Sequence, residues 1–270
     1  MKSSPIGLVL ALVGLGLGAT LEGSNVMAVL NLPAILIVLG GTLGATIAGT
    51  SMEATKTIPK LYKIAFTASP PDLVGRVKEL VGYAEKARRD GLLALDEQLK
   101  TIEDPYTRKG LQLVVDGTDP ELVAEVLEIE NSSMRKRHQA AVQPFDKAGG
   151  FAPTMGIIGT VFGLVHVLEN LDAPETLGPS ISAAFIATLL GVASSNVVYL
   201  PMANRLKQLS AEELQFRAMT LEGILSVQAG DNPRVLQEKL MAYVPPAQRP
   251  AADAEGTDAG SAQQAERAAA

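Results

Sequence analysis

The chain contains no cysteine and no tryptophan, and only two histidines among 270 residues. Without cysteine there are no disulfides and no thiolate metal sites. His138 and His166 stand far apart in the sequence, which argues against a clustered zinc centre. Aromatic residues make up only 4% of the chain, and no basic patch is interleaved with them. With a net charge of −6, nothing points to nucleic acid as a partner. There is no Walker phosphate loop, no GxSxG elbow and no Ser/His/Asp or Cys/His constellation, so neither ATP hydrolysis nor other enzyme chemistry is expected. A GLGLG run at Gly14–Gly18 resembles a dinucleotide turn, but it lies inside an apolar stretch, where helix packing accounts for it better.

What is abundant is Leu, Val, Ile, Ala and Gly, giving a positive mean hydropathy. Four windows approach the roughly 20 apolar residues needed to cross about 30 Å of hydrocarbon: Pro5–Leu21, Leu32–Thr50, Gly150–Leu168 and Ile181–Met202. None holds Asp, Glu, Lys or Arg. The first follows Lys2 and could be taken for a signal peptide, yet it exceeds the usual apolar core and leads quickly into a second span. It is read as a retained span. The chain is therefore expected to be an all-α polytopic membrane protein with four transmembrane helices and a helical cytoplasmic domain.

Orientation follows from the basic residues. The loops 22–31 and 169–180 contain no Lys or Arg, whereas Lys56, Lys60, Lys63, Arg135, Lys136, Arg137, Lys147, Arg205 and Lys207 flank the other ends. By the positive-inside rule both termini and the 51–149 segment face the cytoplasm. Leu73, Val77, Leu80, Val81 and Ala84 recur at helical spacing along 71–89. Asp104-Pro105, Asp119-Pro120 and Asn232-Pro233 each set a capping side chain before a helix-starting proline. The helix from Pro120 is expected to run nearly to the third span, and the fourth to continue through 205–228. The resulting organisation is two spans in 1–50, a cytoplasmic helical domain in 51–149, two spans in 150–202, cytoplasmic helices in 203–244 and a disordered tail in 245–270.

Inside the spans the chemistry lies in small and hydroxylated residues. Ala183, Ala187, Gly191 and Ser195 recur every four residues, and Gly159 and Gly163 form a GxxxG pair, as do Gly40 and Gly44. Such faces let helices approach closely, either within this chain or against another. Thr160 and Thr188 are polar side chains in the third and fourth spans. A threonine in lipid often bonds only its own helix carbonyl four residues back; a pair at one depth could instead offer oxygens to a partly dehydrated cation. His166 is placed near the outer interface, where a neutral histidine is tolerable, and both a structural role and proton carriage stay open. No span carries a carboxylate, so if the chain conducts ions, a partner must supply the acid.

The segments ARRDGLLALDEQL (87–99), QLVVDGTD (112–119), FAPTMGIIGTVFGLVHVL (151–168) and AFIATLLGVASSNVVYLPMANRL (184–206) resemble the flagellar stator family MotA/PomA, across roughly residues 1–245. The last two also resemble the wider MotA/TolQ/ExbB proton channel superfamily. The resemblance implies an A-type stator subunit forming a homopentamer around a partner dimer. Each partner is a single-span B-type (MotB/PomB-like) subunit with the membrane aspartate and a peptidoglycan-gripping domain. Proton or sodium flux along the A–B interface would drive the ring against the rotor's switch-complex protein FliG. No cofactor is implied beyond the transported ion.

Carried onto this sequence, the family's rotor-facing basic position falls on Arg88, with Arg89 adjacent. Its acidic counterpart falls on Asp96, or on Glu97 if the register slips by one. The family prolines fall on Pro153 and Pro201, near the cytoplasmic ends of the third and fourth spans, where a lost backbone donor favours a bend. A cation would neutralise the partner's aspartate and be released past Thr160 and Thr188. The ion stays open: sodium-type members tend to have Thr where Thr160 stands, whereas His166 is similar to proton-type members. The alternatives are a TolQ/ExbB-like energiser of envelope transport, with three spans and an outer N-terminus, a secondary transporter, and a scaffold of membrane helices. No inverted repeat supports the transporter.

Overall fold

The computed structural model describes residues 3–23, 29–172 and 174–250. Most of the predicted tail 245–270 falls outside them. The described residues are helical and contain no strand. In chain order the helices are α1 (Ser3–Leu21), α2 (Leu32–Gly49), α3 (Met52–Lys56), α4 (Ile58–Thr67), α5 (Leu73–Asp90), α6 (Asp96–Leu99), α7 (Pro105–Val115), α8 (Pro120–Glu169), α9 (Pro174–Ala229) and α10 (Pro233–Met241). Their contacts fall into two compact units. The first draws on Met1–Pro70 and Ser132–Glu212, the second on Pro71–Asn131 and Glu213–Ala270.

The helices begin where side chains can take up their orphan amides. Asn31 accepts from the Ala34 N–H at 3.1 Å, Ser51 from Ala54 at 3.2 Å and Asp72 from Gly75 at 2.9 Å. The three Asx-Pro starts behave as expected, with Asp104, Asp119 and Asn232 accepting from Tyr106, Glu121 and Arg234. The helix predicted over 71–89 starts two residues later, because Asp72 serves as its cap. It stops at Gly91, whose φ of +85° favours glycine.

In the first unit, α2, α8 and α9 each hold a stretch long and apolar enough to cross a membrane; the apolar stretch of α1, Pro5–Leu21, is shorter. Much of this surface faces outward: Leu10, Phe162, Leu168 and Phe185 are all more than 60% exposed. In water such a surface would be unfavourable; in lipid it costs nothing. The buried stripe of α2 is Ala34, Val38, Thr42 and Thr46, one every helical turn, and its upper part packs on Ala187 and Leu190 of α9. α4 packs on α8 and α9 through Leu61, Tyr62 and Ala65 against Val142, Phe145, Met202 and Leu206. The fourth predicted span continues through 205–228 within α9, as expected, whereas the helix from Pro120 runs not only to the third predicted span but through it, as α8. α8 runs unbroken for 50 residues, whereas α9 widens into a π turn over Ser194–Tyr199.

The second unit has a conventional core. Val77, Leu80, Leu95, Leu111, Leu127, Met219, Ile224, Leu236 and Leu240 are completely buried in it. Gly110 and Gly223 let helices close in: a Cβ at Gly223 would stand 2.6 Å from Leu80. Around the core, Arg76 binds Asp104 at 3.1 Å and lies over the Phe216 ring, while Arg217 lies over the Tyr106 ring at 4.8 Å.

Candidate functional site

α8 and α9 meet along a seam with almost no side-chain volume. A Cβ on Gly156 would stand 2.9 Å from the Ala187 carbonyl oxygen and 3.1 Å from the Thr188 Cα. One on Gly191 would collide with the Ala152 carbonyl. Gly159 and Gly163 face Ala187 and Ala184 in the same way. The predicted small-residue faces of these two spans are thus used within the chain. One member shifts: Ala187, Gly191 and Ser195 are buried, but Ala184 rather than Ala183 continues the seam. A strict four-residue spacing drifts around a helix of 3.6 residues per turn, so the next seam position back is three residues away. Gly40 and Gly44 of α2 have open space where their Cβ atoms would be, so that pair is not a packing face within the chain.

The seam brings Thr160 and Thr188 together. Their hydroxyls hydrogen-bond each other. Thr160 Oγ1 lies 3.1 Å both from the Gly156 carbonyl on its own helix and from the Ala184 carbonyl across the seam, and Thr188 Oγ1 is 3.4 Å from the Gly156 oxygen. The expected bond to the carbonyl four residues back is present, but it is one part of a two-helix cluster. Four oxygens therefore converge in an otherwise apolar interface. Each hydroxyl carries one proton and can turn it away, so the cluster can present lone pairs to a cation or pass a proton.

The two prolines are accommodated differently. Pro153 cannot donate to the Gly149 carbonyl, its helical partner four residues back. The Ser195 hydroxyl takes that oxygen instead, donating to Gly149 O at 2.6 Å from a fully buried position. Pro201 is exposed and stands one residue beyond the cap of the π turn, Leu200, whose N–H reaches back to Ser195 O. That widened hydrogen-bond ladder relieves the crowding a proline imposes on the preceding turn. Ser195 entered the sequence reading as a small residue only; its hydroxyl's role appears once the carbonyl that Pro153 leaves unpaired is traced.

The remaining predicted residues lie elsewhere. His166 is exposed and pairs with Asn170, whose Nδ2 donates to the His166 carbonyl at 2.7 Å. With Asn31, Phe162 and the seam residues Gly159, Gly163, Ala184 and Ala187 it lines an open groove of about 330 Å³ beside the threonine cluster, although neither threonine lines it. Thr42 and Thr46, which the sequence pattern did not single out, are buried hydroxyls without a partner among the described residues. Their spacing of four within one span was the available signal. In the second unit, Arg88 and Arg89 occupy the exposed last turn of α5, and Asp96 and Glu97 the exposed first turn of α6. Arg89 forks onto Asp90, with Nε and Nη2 each 3.0 Å from a carboxylate oxygen. That hydrogen bond holds the Asp90 carboxyl below its ordinary pKa and raises that of Arg89. Arg88, Asp96 and Glu97 make no ion pair among the described residues. No group of three or more His, Cys, Asp or Glu placed to hold a metal occurs among the described residues.

Comparison with known proteins places this geometry in context. Residues 98–219 match the model of the MotA/TolQ/ExbB proton channel family. The chain is 36% identical over 245 residues to motility protein A of Bacillus subtilis, covering 90% of this chain and 91% of that one. Two solved structures are similar throughout. The C. jejuni MotAB structure has a TM-score of 0.88 at 30% identity, over 93% of this chain and 99% of that one. The flagellar MotAB stator complex of Bacillus subtilis has 0.87 at 37%, over 92% and 98%.

Proposed function

The chain belongs to the motility protein A family, and from that premise we propose that it is the A-type subunit of a flagellar stator. With a B-type partner it forms a cation channel whose flux generates torque on the rotor. The observation that carries this is the Thr160–Thr188 oxygen cluster, held in a glycine seam of a chain whose spans contain no carboxylate. Such a cluster can receive or pass a cation, but nothing in the spans can bind one by charge. The ionisable group comes from the single-span partner, and the A subunits surround the partner dimer as a homopentamer in the inner membrane. α1 and α2 act as the first two of four spans, with both termini in the cytoplasm. Likeness to motility protein A over 245 of 270 residues extends well N-terminal of the matched family region 98–219 and takes in α2, favouring a stator over an envelope-transport energiser.

In this reading the transported cation, a proton or sodium, neutralises the partner's aspartate and leaves past Thr160 and Thr188. A neutral side chain crosses apolar helix faces at several kcal/mol lower cost than an ionised one. The membrane potential adds about 2.3 kcal/mol per charge per 100 mV. Pro153 and Pro201, on the helices that carry the threonines, are the coupling points. Arg88 and Asp96, or Glu97 in its place, meet FliG. No nucleotide is hydrolysed; ion flux is the energy source.

The test is ion flux and motility on co-expression with a B-type subunit carrying one membrane aspartate. Thr160→Ala and Thr188→Ala should each lower flux and swimming speed while leaving membrane insertion unchanged. Wild-type flux from the double variant would refute a role for the pair. Motor speed followed against sodium at fixed pH, then against pH at fixed sodium, identifies the ion.

A further inference from the structure

In the first unit, α1, α4 and the π turn of α9 enclose a groove of about 290 Å³, lined by Gly7 and Ala11, by Phe66, and by Val197, Pro201 and Met202. Its walls are chiefly apolar. Arg205 lies one helical turn beyond Pro201 on the same face of α9. Its Nη2 reaches Ala68 O at 3.4 Å, two residues after Phe66. Arg205 therefore stands at the polar end of the groove, and it is the first charged residue after the apolar window 181–202.

This guanidinium is poorly satisfied. It is half-buried, forms no ion pair among the described residues, and its Nε is buried without an acceptor. A guanidinium has five N–H donors and does not lose its charge in proteins. The nearby basic residue Lys207 is already held by Asp146 at 2.8 Å. Lys60 and Lys63 of α4 are exposed, and no ion pair involves them among the described residues. Arg205 thus brings a positive charge with no carboxylate partner among the described residues to this end of the groove.

We propose that this groove binds one anionic phospholipid, its acyl chain along Gly7, Ala11, Phe66 and Met202 and its phosphate on Arg205. A phosphate accepts two parallel N–H bonds from a guanidinium, which the terminal Nη1 and Nη2 of the half-buried Arg205 can offer. An apolar groove ending in a cation at the edge of a membrane span matches such a lipid. A free phosphate would leave the groove unfilled, and the cation of a zwitterionic headgroup would bring a second positive charge close to Arg205. The bound lipid would lie against Pro201 and the π turn and hold α1 to them. The inference rests on membrane residence, not on the stator reading, and its test does not involve motility.

The test uses the full chain, reconstituted in nanodiscs of equal phosphatidylglycerol and phosphatidylcholine, extracted in mild detergent and examined by native mass spectrometry. Wild type should retain phosphatidylglycerol in preference to phosphatidylcholine. Arg205→Gln should cut that retention by about tenfold, as expected for loss of charge-assisted hydrogen bonds, with Arg205→Lys intermediate. Gly7→Leu fills the groove at a position with no atom within 4 Å of an added Cβ, so it should displace the lipid while leaving the fold intact. If Arg205→Gln fails to insert, Gly7→Leu decides alone. Equal retention of the two lipids by wild type, undiminished phosphatidylglycerol on Gly7→Leu, or its displacement by millimolar inorganic phosphate would each overturn the proposal.

Discussion

Arg89 spends its fork on the adjacent Asp90, while Arg88, one position earlier, makes no such pair. Both are exposed, so neither pair nor charge contributes much to stability. The difference concerns what a partner meets: Arg88 presents a whole positive charge, and Arg89 one largely cancelled by Asp90. Arg88→Glu should therefore reduce motor torque more than Arg89→Glu, measured as stall torque or swimming speed at equal membrane abundance. Equal losses would mean that the Arg89–Asp90 pair does not survive in the proposed rotor contact. The pH dependence has a definite sign. Asp90 titrates below its ordinary range because Arg89 hydrogen-bonds it, so the pair is intact above that range and lost only as pH falls through the lowered value. Near neutrality the contrast between the two arginines should therefore not change with pH.

At the scale of helices, the seam between α8 and α9 depends on two substitutions for ordinary helix chemistry: glycine in place of side chains, and Ser195 in place of a backbone donor. Gly191→Val would drive side-chain atoms into the Ala152 carbonyl. Backbone on the facing helix cannot yield as a side chain does, so a loss of roughly 1–3 kcal/mol or more is expected, read as a lower thermal midpoint in detergent. Ser195→Ala leaves the Gly149 carbonyl without its 2.6 Å donor, at a cost of about 1–3 kcal/mol for a buried unsatisfied group. Pro153→Ala restores the backbone N–H that would otherwise take that oxygen. Ser195→Ala should therefore cost clearly less in the Pro153→Ala background, and equal costs in both would mean that the two are not coupled. This is also where sequence legibility divides. Apolar run length revealed the membrane helices, and Asx-Pro pairs revealed the starts of α7, α8 and α10. The Thr160–Thr188 pair was visible as two lone hydroxyls in apolar runs. The Ser195–Gly149 bond was not, because it depends on which carbonyl a proline on another helix leaves free. Ala184 displaced Ala183 for a related reason: the seam follows the true helical period and not the simpler spacing of four.

For the whole molecule, two kinds of stabilisation act in one chain. The first unit leaves Leu10, Phe162 and Phe185 exposed and depends on a bilayer to cover them, whereas the second buries a water-excluded core of its own. The core of the second unit also holds a titratable group. Tyr106 is 2% exposed, receives a hydrogen bond from Asn131 Nδ2 at 2.8 Å, and has its pKa raised by burial to about 12 from the ordinary 10. Its phenol stays protonated in the folded unit at pH values where the unfolded chain has already lost the proton. Between about pH 10 and 12 the native state thus binds more protons than the unfolded one, and stability falls as pH rises. At 1.36 kcal/mol per unit the loss approaches about 3 kcal/mol. Burial raises Tyr83 as well and adds to the slope. Tyr106→Phe should cost about 1 kcal/mol at neutral pH, the worth of its hydrogen bond, while flattening the alkaline decline. The two stability curves should converge above pH 10, followed by denaturant titration of helical circular dichroism at fixed detergent concentration. Parallel curves across that range would show that the phenol ionises in the folded unit as it does in water.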